Sequence, residues 1–378
     1  MRILFLARSL DRGGAERQLA LLAAGLKQRG HTVGVALFYR GGIFEQPLHQ
    51  AGIPVHDLGK RSRWHVVTFL WRLIRLVRQQ RPDILHSYLV EPNLLALLLR
   101  WFYPGVRIVW GVRASNMDLS RYDWLQRLAF DGSCWLSRWA HLIVANSRVG
   151  MLYHQEQGYP SNRLALVANG IDIELFQPDE MGRLRLRQQW GIEEHHLLVG
   201  IVARLDPMKD HVTFLRAATL ASEQDSNLRF VCVGDGPDPY RVALSQQAEA
   251  WGLQDRLLWA GAHDDMPAVY TALDIGVSSS AFGEGFSNAV AEGMACGRSF
   301  VVTHVGDSAD IVANNGIVVP VGDSQAMARG ILTLAQRLCQ QRDQYHQQAR
   351  DSIVSRFSPQ RLAQETEVLL QQLLTQTE

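Results

Sequence analysis

Two turns in the second half of the chain carry residue types suited to anion and sugar chemistry. The first is Val202-Ala-Arg204-Leu-Asp-Pro-Met-Lys209-Asp-His211. An apolar strand runs out at Ala203, and a helix is expected from Pro207, a residue tolerated at the first helical position. Arg204 and Lys209 then flank a turn between strand end and helix start, where free backbone N–H groups favour an anion. A guanidinium fork beside a compact ammonium suits a diphosphate. Two solvated loop cations would show the same spacing. Lys209 is, however, the one lysine after residue 175, which favours a role for it.

The second turn is Ser278-Ser-Ser-Ala-Phe-Gly-Glu284-Gly-Phe-Ser-Asn-Ala-Val-Ala-Glu292. A Ser/Gly-rich turn leads into a helix expected over 286–295, with Glu284 before it and Glu292 two turns along. Eight residues of helical rise separate their backbones by about 12 Å. Carboxylate pairs that hydrolyse glycosides stand about 5–9.5 Å apart, so the spacing fits two anchors on one elongated ligand better. A capping Glu and an ordinary helical Glu remain the alternative.

Other candidates are weaker. Gly13-Gly14-Ala-Glu16-Arg17 follows the first strand and permits close backbone approach, but it lacks the G-x-G-x-x-G spacing of dinucleotide sites. His86, Glu91 and Arg113 fall near expected strand ends, where a structural hydrogen-bonding role is commoner than a reactive one. His263-Asp-Asp265 lacks the further ligands of a metal site and reads as a helix start before Met266-Pro267.

The elements that must hold these residues alternate. Short apolar strands are expected at 2–7, 33–38, 53–58, 83–86, 106–111 and 141–146, with helices between them. The pattern restarts at 197–203, 228–233, 256–259, 274–278, 299–303 and 317–319, and a final helix covers 359–374. Asn169-Gly170 and Pro178 mark the join. Alternation of this kind makes parallel sheets covered by helices on both faces. The fold class is therefore α/β, with two doubly wound Rossmann-like halves facing across a cleft and ligands at the carboxyl ends of their strands.

The length of 378 residues suits two domains, and 47% hydrophobic with 20% charged residues is a globular composition. The net charge of +1 conceals a division: 22 basic and 12 acidic residues up to 175, then 16 and 25. Nothing in it calls for a nucleic-acid partner. Cys134, Cys232, Cys296 and Cys339 match neither a zinc nor a disulfide spacing and read as buried thiols in a reducing compartment. With neither a signal peptide nor a membrane-spanning run, a cytoplasmic location is expected.

Taken together, these motifs resemble family 4 of the retaining nucleotide-sugar glycosyltransferases, which have the GT-B fold. The resemblance runs from Gly13-Gly-Ala-Glu-Arg17 through Asn169-Gly-Ile-Asp172, Arg204 with Lys209, Gly234-Asp-Gly-Pro237, Asp265-Met-Pro267 and the E-x7-E pair Glu284/Glu292 to Gly322-Asp323. It implies catalytic roles for Arg204, Lys209 and Glu284, with Arg204 and Lys209 on the departing diphosphate and Glu284 on the transferred sugar. It further implies donor contacts from Gly14, Gly285, Phe286, Ser287, Asn288 and Glu292, the last with ribose hydroxyls. Glu16, Arg17, His86 and Arg113 are the acceptor-side candidates. The implied donor is a UDP- or GDP-sugar. Front-face attack, with the donor phosphate taking the acceptor's proton, needs neither metal nor other cofactor.

The resemblance also implies an acceptor-side domain over 1–168 and a nucleotide-sugar domain over 169–356. A C-terminal helix, 357–378, would pack back onto the first. Three positions depart from the family pattern: Arg113 stands where a His is frequent, Gly297-Arg-Ser299 replaces Gly-x-Pro, and Gly306-Asp307-Ser308 replaces a pair of glycines. Arg12, where starch- and glycogen-synthase relatives carry a lysine, favours the bacterial branch building lipopolysaccharide, capsule or lipid-linked glycans. A lipid-linked glycan or polysaccharide is then the acceptor.

Residues 60–81 add a separate signal, with seven cations and no acid among apolar residues and two tryptophans. This stretch is either a basic amphipathic helix in peripheral contact with an anionic membrane or a sheet-covering helix with one polar stripe in water. Two other functions fit the same fold: a nucleotide-sugar epimerase, for which no proton-shuttling carboxylate pair is evident, and a non-catalytic nucleotide-sugar-binding subunit, against which the intact Arg204/Lys209/Glu284 set argues.

Overall fold

The computed structural model describes residues 1–11, 13–60, 66–113 and 124–375. Arg12, the 61–65 part of the basic stretch and the last three residues of the expected C-terminal helix lie outside the described residues. The chain divides into two compact units, Met1–Gly170 with Pro359–Glu378, and Ile171–Ser358.

The first unit is built on a parallel sheet of seven strands: β1 (Arg2–Ala7), β2 (Thr32–Leu37), β3 (Val55–Asp57), β4 (Ile84–Tyr88), β5 (Arg107–Val112), β6 (Leu142–Ala145) and β7 (Leu164–Leu166). Their order is β3-β2-β1-β4-β5-β6-β7, with Ile3 in register with Val33 and Ile84. Side chains alternate across a strand, so β1 sends Ile3, Phe5 and Ala7 to one face and Leu4 and Leu6 to the other. Helices Gly14–Gln28 and Pro359–Thr375 cover the first face through Leu19, Leu22, Leu26, Leu362 and Leu370. Helices Val66–Gln80, Val90–Phe102 and Trp124–Leu136 belong to the layer on the second. The short β7 was not expected; three residues between turns give too little pattern to read.

The second unit carries β8 (Leu197–Val202), β9 (Leu228–Val233), β10 (Leu257–Gly261), β11 (Ile275–Ser278), β12 (Ser299–Thr303) and β13 (Gly316–Val319). All pair in parallel, in the order β10-β9-β8-β11-β12-β13. Strand order reverses between β8 and β11, and the crevice beyond their carboxyl ends is where such sheets bind ligands. Phe214, Leu215, Met327 and Ile331 close one face over Val199 and Ile201; Leu186, Val269 and Leu273 close the other over Leu198 and Val231.

Two expectations change, and one alternative is decided for the described residues. Pro207 opens only a single 3-10 turn, Pro207–Lys209, because Asp206 and Asp210 each cap a separate start and the helix proper is His211–Ser222. Cys339 is exposed rather than buried. For the described part of the basic stretch the sheet-covering alternative fits: helix Val66–Gln80 puts Phe69, Leu73 and Val77 on the sheet and leaves Val67 and Trp71 exposed. Among the described residues no helix is long and apolar enough to cross a membrane.

Candidate active site

The turns after β8 and β11 meet at the reversal of strand order. After β8, Asp206 accepts the Met208 N–H at 2.9 Å. Asp210, in the left-handed region at φ 45°, accepts the Thr213 N–H at 3.1 Å. Lys209 is thus held between two side-chain caps, each satisfying an otherwise orphaned N–H. The turn after β11 is stitched to it: Ser279 Oγ donates to the Lys209 carbonyl at 2.8 Å, and the Ala281 N–H donates to Met208 O at 2.9 Å.

This stitching brings two residues 75 positions apart into contact. Lys209 Nζ donates to Glu284 Oε1, and Ser280 Oγ donates to the same oxygen at 3.0 Å. Glu284 is 9% exposed. A recess between the turns is lined by Ala203, Lys209, Ser278, Ser280, Glu284 and Ser287. Arg204, at the mouth of the same turn, is exposed and makes no ion pair among the described residues. Burial, reinforced by the Lys209 charge, pushes the neighbouring His211 down to about 4 and keeps it neutral.

The backbone beyond Glu284 is held from below. Phe286 is buried, its ring edge-on to Phe357 at 5.1 Å, so only its main chain is free to meet a ligand. The helix is Asn288–Ala295, two residues shorter at its start than expected, and Ser287 gives it no side-chain cap. The N–H groups of a helix start suit an anion. Glu292 lies buried in that helix and accepts from the Tyr270 hydroxyl at 3.1 Å. The Asp307 N–H donates to Gly285 O at 2.9 Å, which sets the Gly306-Asp307-Ser308 turn directly against the glutamate loop.

The first unit carries the remaining candidates. Gly14 opens the helix Gly14–Gln28 and is exposed, with Glu16 and Arg17 half-buried in its first turn. His86 requires correction as an acceptor-side residue. Its ring is fully buried in β4 beside Phe5 and Tyr88, out of reach of any acceptor, and neither ring nitrogen has a partner. Burial, with Arg113 adding to it, lowers His86 to about 3. Arg113 donates to Tyr88 Oη at 2.8 Å and Asn169 Oδ1 at 2.7 Å, tying strand ends to the end of the unit. Glu91 pairs with Arg8 at 3.4 Å on the surface. Asp265 caps the helix Met266–Ala272, as its place before Met266-Pro267 suggested.

Two contributors carry no signal of their own in the sequence, Ser280 and Tyr270, while the 306–308 turn shows there only as a departure from the family pattern. Ser280 is lost in a run of three serines, and no spacing connects Tyr270 to Glu292 or Gly306 to Gly285.

The sequence compares as the geometry does. Residues 12–175 match Glycosyltransferase Family 4, and residues 196–337 match Glycosyl transferases group 1. The chain belongs to the group 1, family 4 glycosyltransferases. D-inositol 3-phosphate glycosyltransferase of Corynebacterium glutamicum is 29% identical over 206 residues, 52% of this chain and 49% of that protein. The match therefore spans about half the length of that relative. 2-Deoxystreptamine N-acetyl-D-glucosaminyltransferase of Streptomyces fradiae is 29% identical over 72% of this glycosyltransferase and 67% of its own length. Among solved structures, Anabaena HepE in complex with UDP-glucose superposes with a TM-score of 0.81 at 23% identity, covering 98% of this chain and 100% of that one. That likeness is one of fold: GT-B, with two Rossmann-like α/β domains.

Proposed function

We propose that this glycosyltransferase moves a hexose from a nucleoside-diphosphate sugar, UDP- or GDP-linked, to a lipid-linked glycan or polysaccharide on the cytoplasmic side of a membrane. The observation that carries the reading is the meeting of Lys209, Ser280 and Glu284 beside a helix start at the β8/β11 reversal. Arg204 and Lys209 take up the diphosphate charge as the bond from the sugar's C1 to phosphate oxygen breaks. The acceptor oxygen bonds C1 on the same face, and its proton passes to the departing phosphate oxygen. Configuration is retained, and the two cations supply the charge compensation a metal would otherwise give. Glu284 holds sugar hydroxyls and Glu292 ribose hydroxyls. The transferase names of the relatives and the UDP-glucose bound by HepE support this donor class.

The test is a panel of UDP-, GDP- and ADP-hexoses with and without lipid-linked acceptor, in the presence of EDTA, read by NMR at the anomeric carbon. Acceptor-dependent, EDTA-insensitive product with the donor's anomeric configuration is expected. Isomerised donor without acceptor would instead identify an epimerase, and binding without turnover a non-catalytic subunit.

A further inference from the structure

We infer that the tryptophan-lined groove between helices Val90–Phe102 and Trp124–Leu136 seats this chain on an anionic lipid bilayer. A sheet-covering helix ordinarily turns its polar side to water. Val90–Phe102 does not: Ala96 and Leu99 face the core, while Leu98, Trp101 and Phe102 are 50%, 87% and 49% exposed. Across the groove, Trp135 and Trp139 meet edge to face at 4.6 Å and are both exposed. Together with Leu94 and Pro104 they line an open groove of about 680 Å³. Large exposed apolar side chains gathered in one place, here Leu98, Trp101, Phe102, Trp135 and Trp139, mark an interaction site.

The charges around the groove select the occupant. The Arg138 guanidinium lies over Trp135 at 5.3 Å and Trp139 at 5.6 Å, and Arg100 donates to the Trp139 carbonyl. Tryptophan with arginine is the pairing that sits at a bilayer's headgroup level, rings toward the acyl chains and cations toward phosphate. The third helix on the same sheet face, Val66–Gln80, exposes Arg75, Arg78 and a 59%-exposed Trp71, with Arg75 over that ring at 5.3 Å. Among the described residues of these three helices the exposed acids are Asp131 and Glu91, the latter paired with Arg8. A basic helical layer with protruding indoles complements anionic lipid. The lipid surface thus meets the groove, while the apolar side of Val66–Gln80 packs on the sheet. The inference extends the lipid-linked acceptor proposed above, and its test separates the two.

The full chain is floated with phosphatidylcholine vesicles with and without phosphatidylglycerol, alongside Trp101→Glu, the pair Trp135→Ser/Trp139→Ser, and Arg138→Glu. All four side chains are exposed, so thermal melting and UDP-hexose binding by calorimetry should stay at parental values. Binding to anionic vesicles is expected, weakened at least about tenfold by the tryptophan changes. Losing Arg138 should weaken it about fivefold or more. Failure of the parent to bind anionic vesicles overturns the inference, as does parental binding by the tryptophan variants. A lipid-free dimer that Trp101→Glu dissolves would assign the groove to a second copy and also overturn it. Tryptophan-dependent vesicle binding without any nucleotide-sugar binding would sink the donor reading and leave this one standing.

Discussion

Lys209 Nζ donates to Glu284 Oε1, so the cation suited to a diphosphate and the carboxylate suited to a sugar neutralise each other when no ligand is bound. Neither is left as an uncompensated charge in a recess where both are largely buried. A donor would exchange this contact for two of its own, phosphate oxygen for the ammonium and sugar hydroxyl for the carboxylate.

Because the two groups act as a unit, Lys209→Ala and Glu284→Ala should each reduce kcat/KM by about 10²–10³-fold or more. The double variant should be little worse than either single one. Lys209→Ala also leaves Glu284 with Ser280 as its remaining hydrogen-bond partner among the described residues, costing about 1–3 kcal/mol of stability. Initial rates and urea midpoints on the four proteins decide it. Wild-type turnover by both single variants would remove the pair from the site.

Tyr270 orients Glu292 without reaching a ligand itself, which makes it a positioning residue. Tyr270→Phe should raise the donor KM about tenfold, the worth of a hydrogen bond to a charged group, and leave kcat nearly unchanged. A fall in kcat at constant KM would contradict that role.

Gly306 holds φ at +59°, and a Cβ there would stand 2.4 Å from the Gly285 carbonyl oxygen. Gly306→Ala must shift the loop that follows Glu284. A stability loss of about 1–3 kcal/mol is expected, together with weaker donor binding by calorimetry. Gly285, with its carbonyl on the Asp307 N–H, is the point through which the disturbance passes.

His86 supplies a pH dependence. Its pKa falls from 6.5 to about 3 on folding, because burial disfavours the charged ring and Arg113 adds repulsion. Between those values the unfolded chain binds a proton that the native one does not, so stability declines as pH drops below 6.5. The slope is up to about 1.4 kcal/mol per pH unit for this one group. His86→Leu should reduce that slope and, by removing two unpaired ring nitrogens, cost nothing at neutral pH. Urea denaturation at a series of pH values checks both outcomes.

The fold was legible because its signals are local. Continuous apolar runs such as 228–233 and 299–303 suit only a strand covered on both faces, and their alternation with helices dictates parallel pairing. The E-x7-E spacing likewise needs nothing beyond one helix to set Glu284 before it and Glu292 inside it. Weak local signals mislead: three residues are too few to mark β7, and Pro207 suggests the start of a helix that Asp210 in fact begins.

The partners of those residues are a different matter. Seventy-five residues separate Lys209 from Glu284, 22 separate Tyr270 from Glu292, and the Gly306 turn reaches Gly285 through a main-chain hydrogen bond that no side-chain type announces. The same holds for His86 and for the groove tryptophans. Residue type alone leaves a histidine near a strand end or an indole on a helix equally able to face core or solvent. Sheet order decided it, burying His86 in β4 and leaving Trp101 87% exposed on the outer side of its helix. By itself the sequence determined the element types, their alternation and the residues bearing chemistry. Which of them touch depends on how the strands of each sheet are ordered, because only that order brings distant turns together at one strand end.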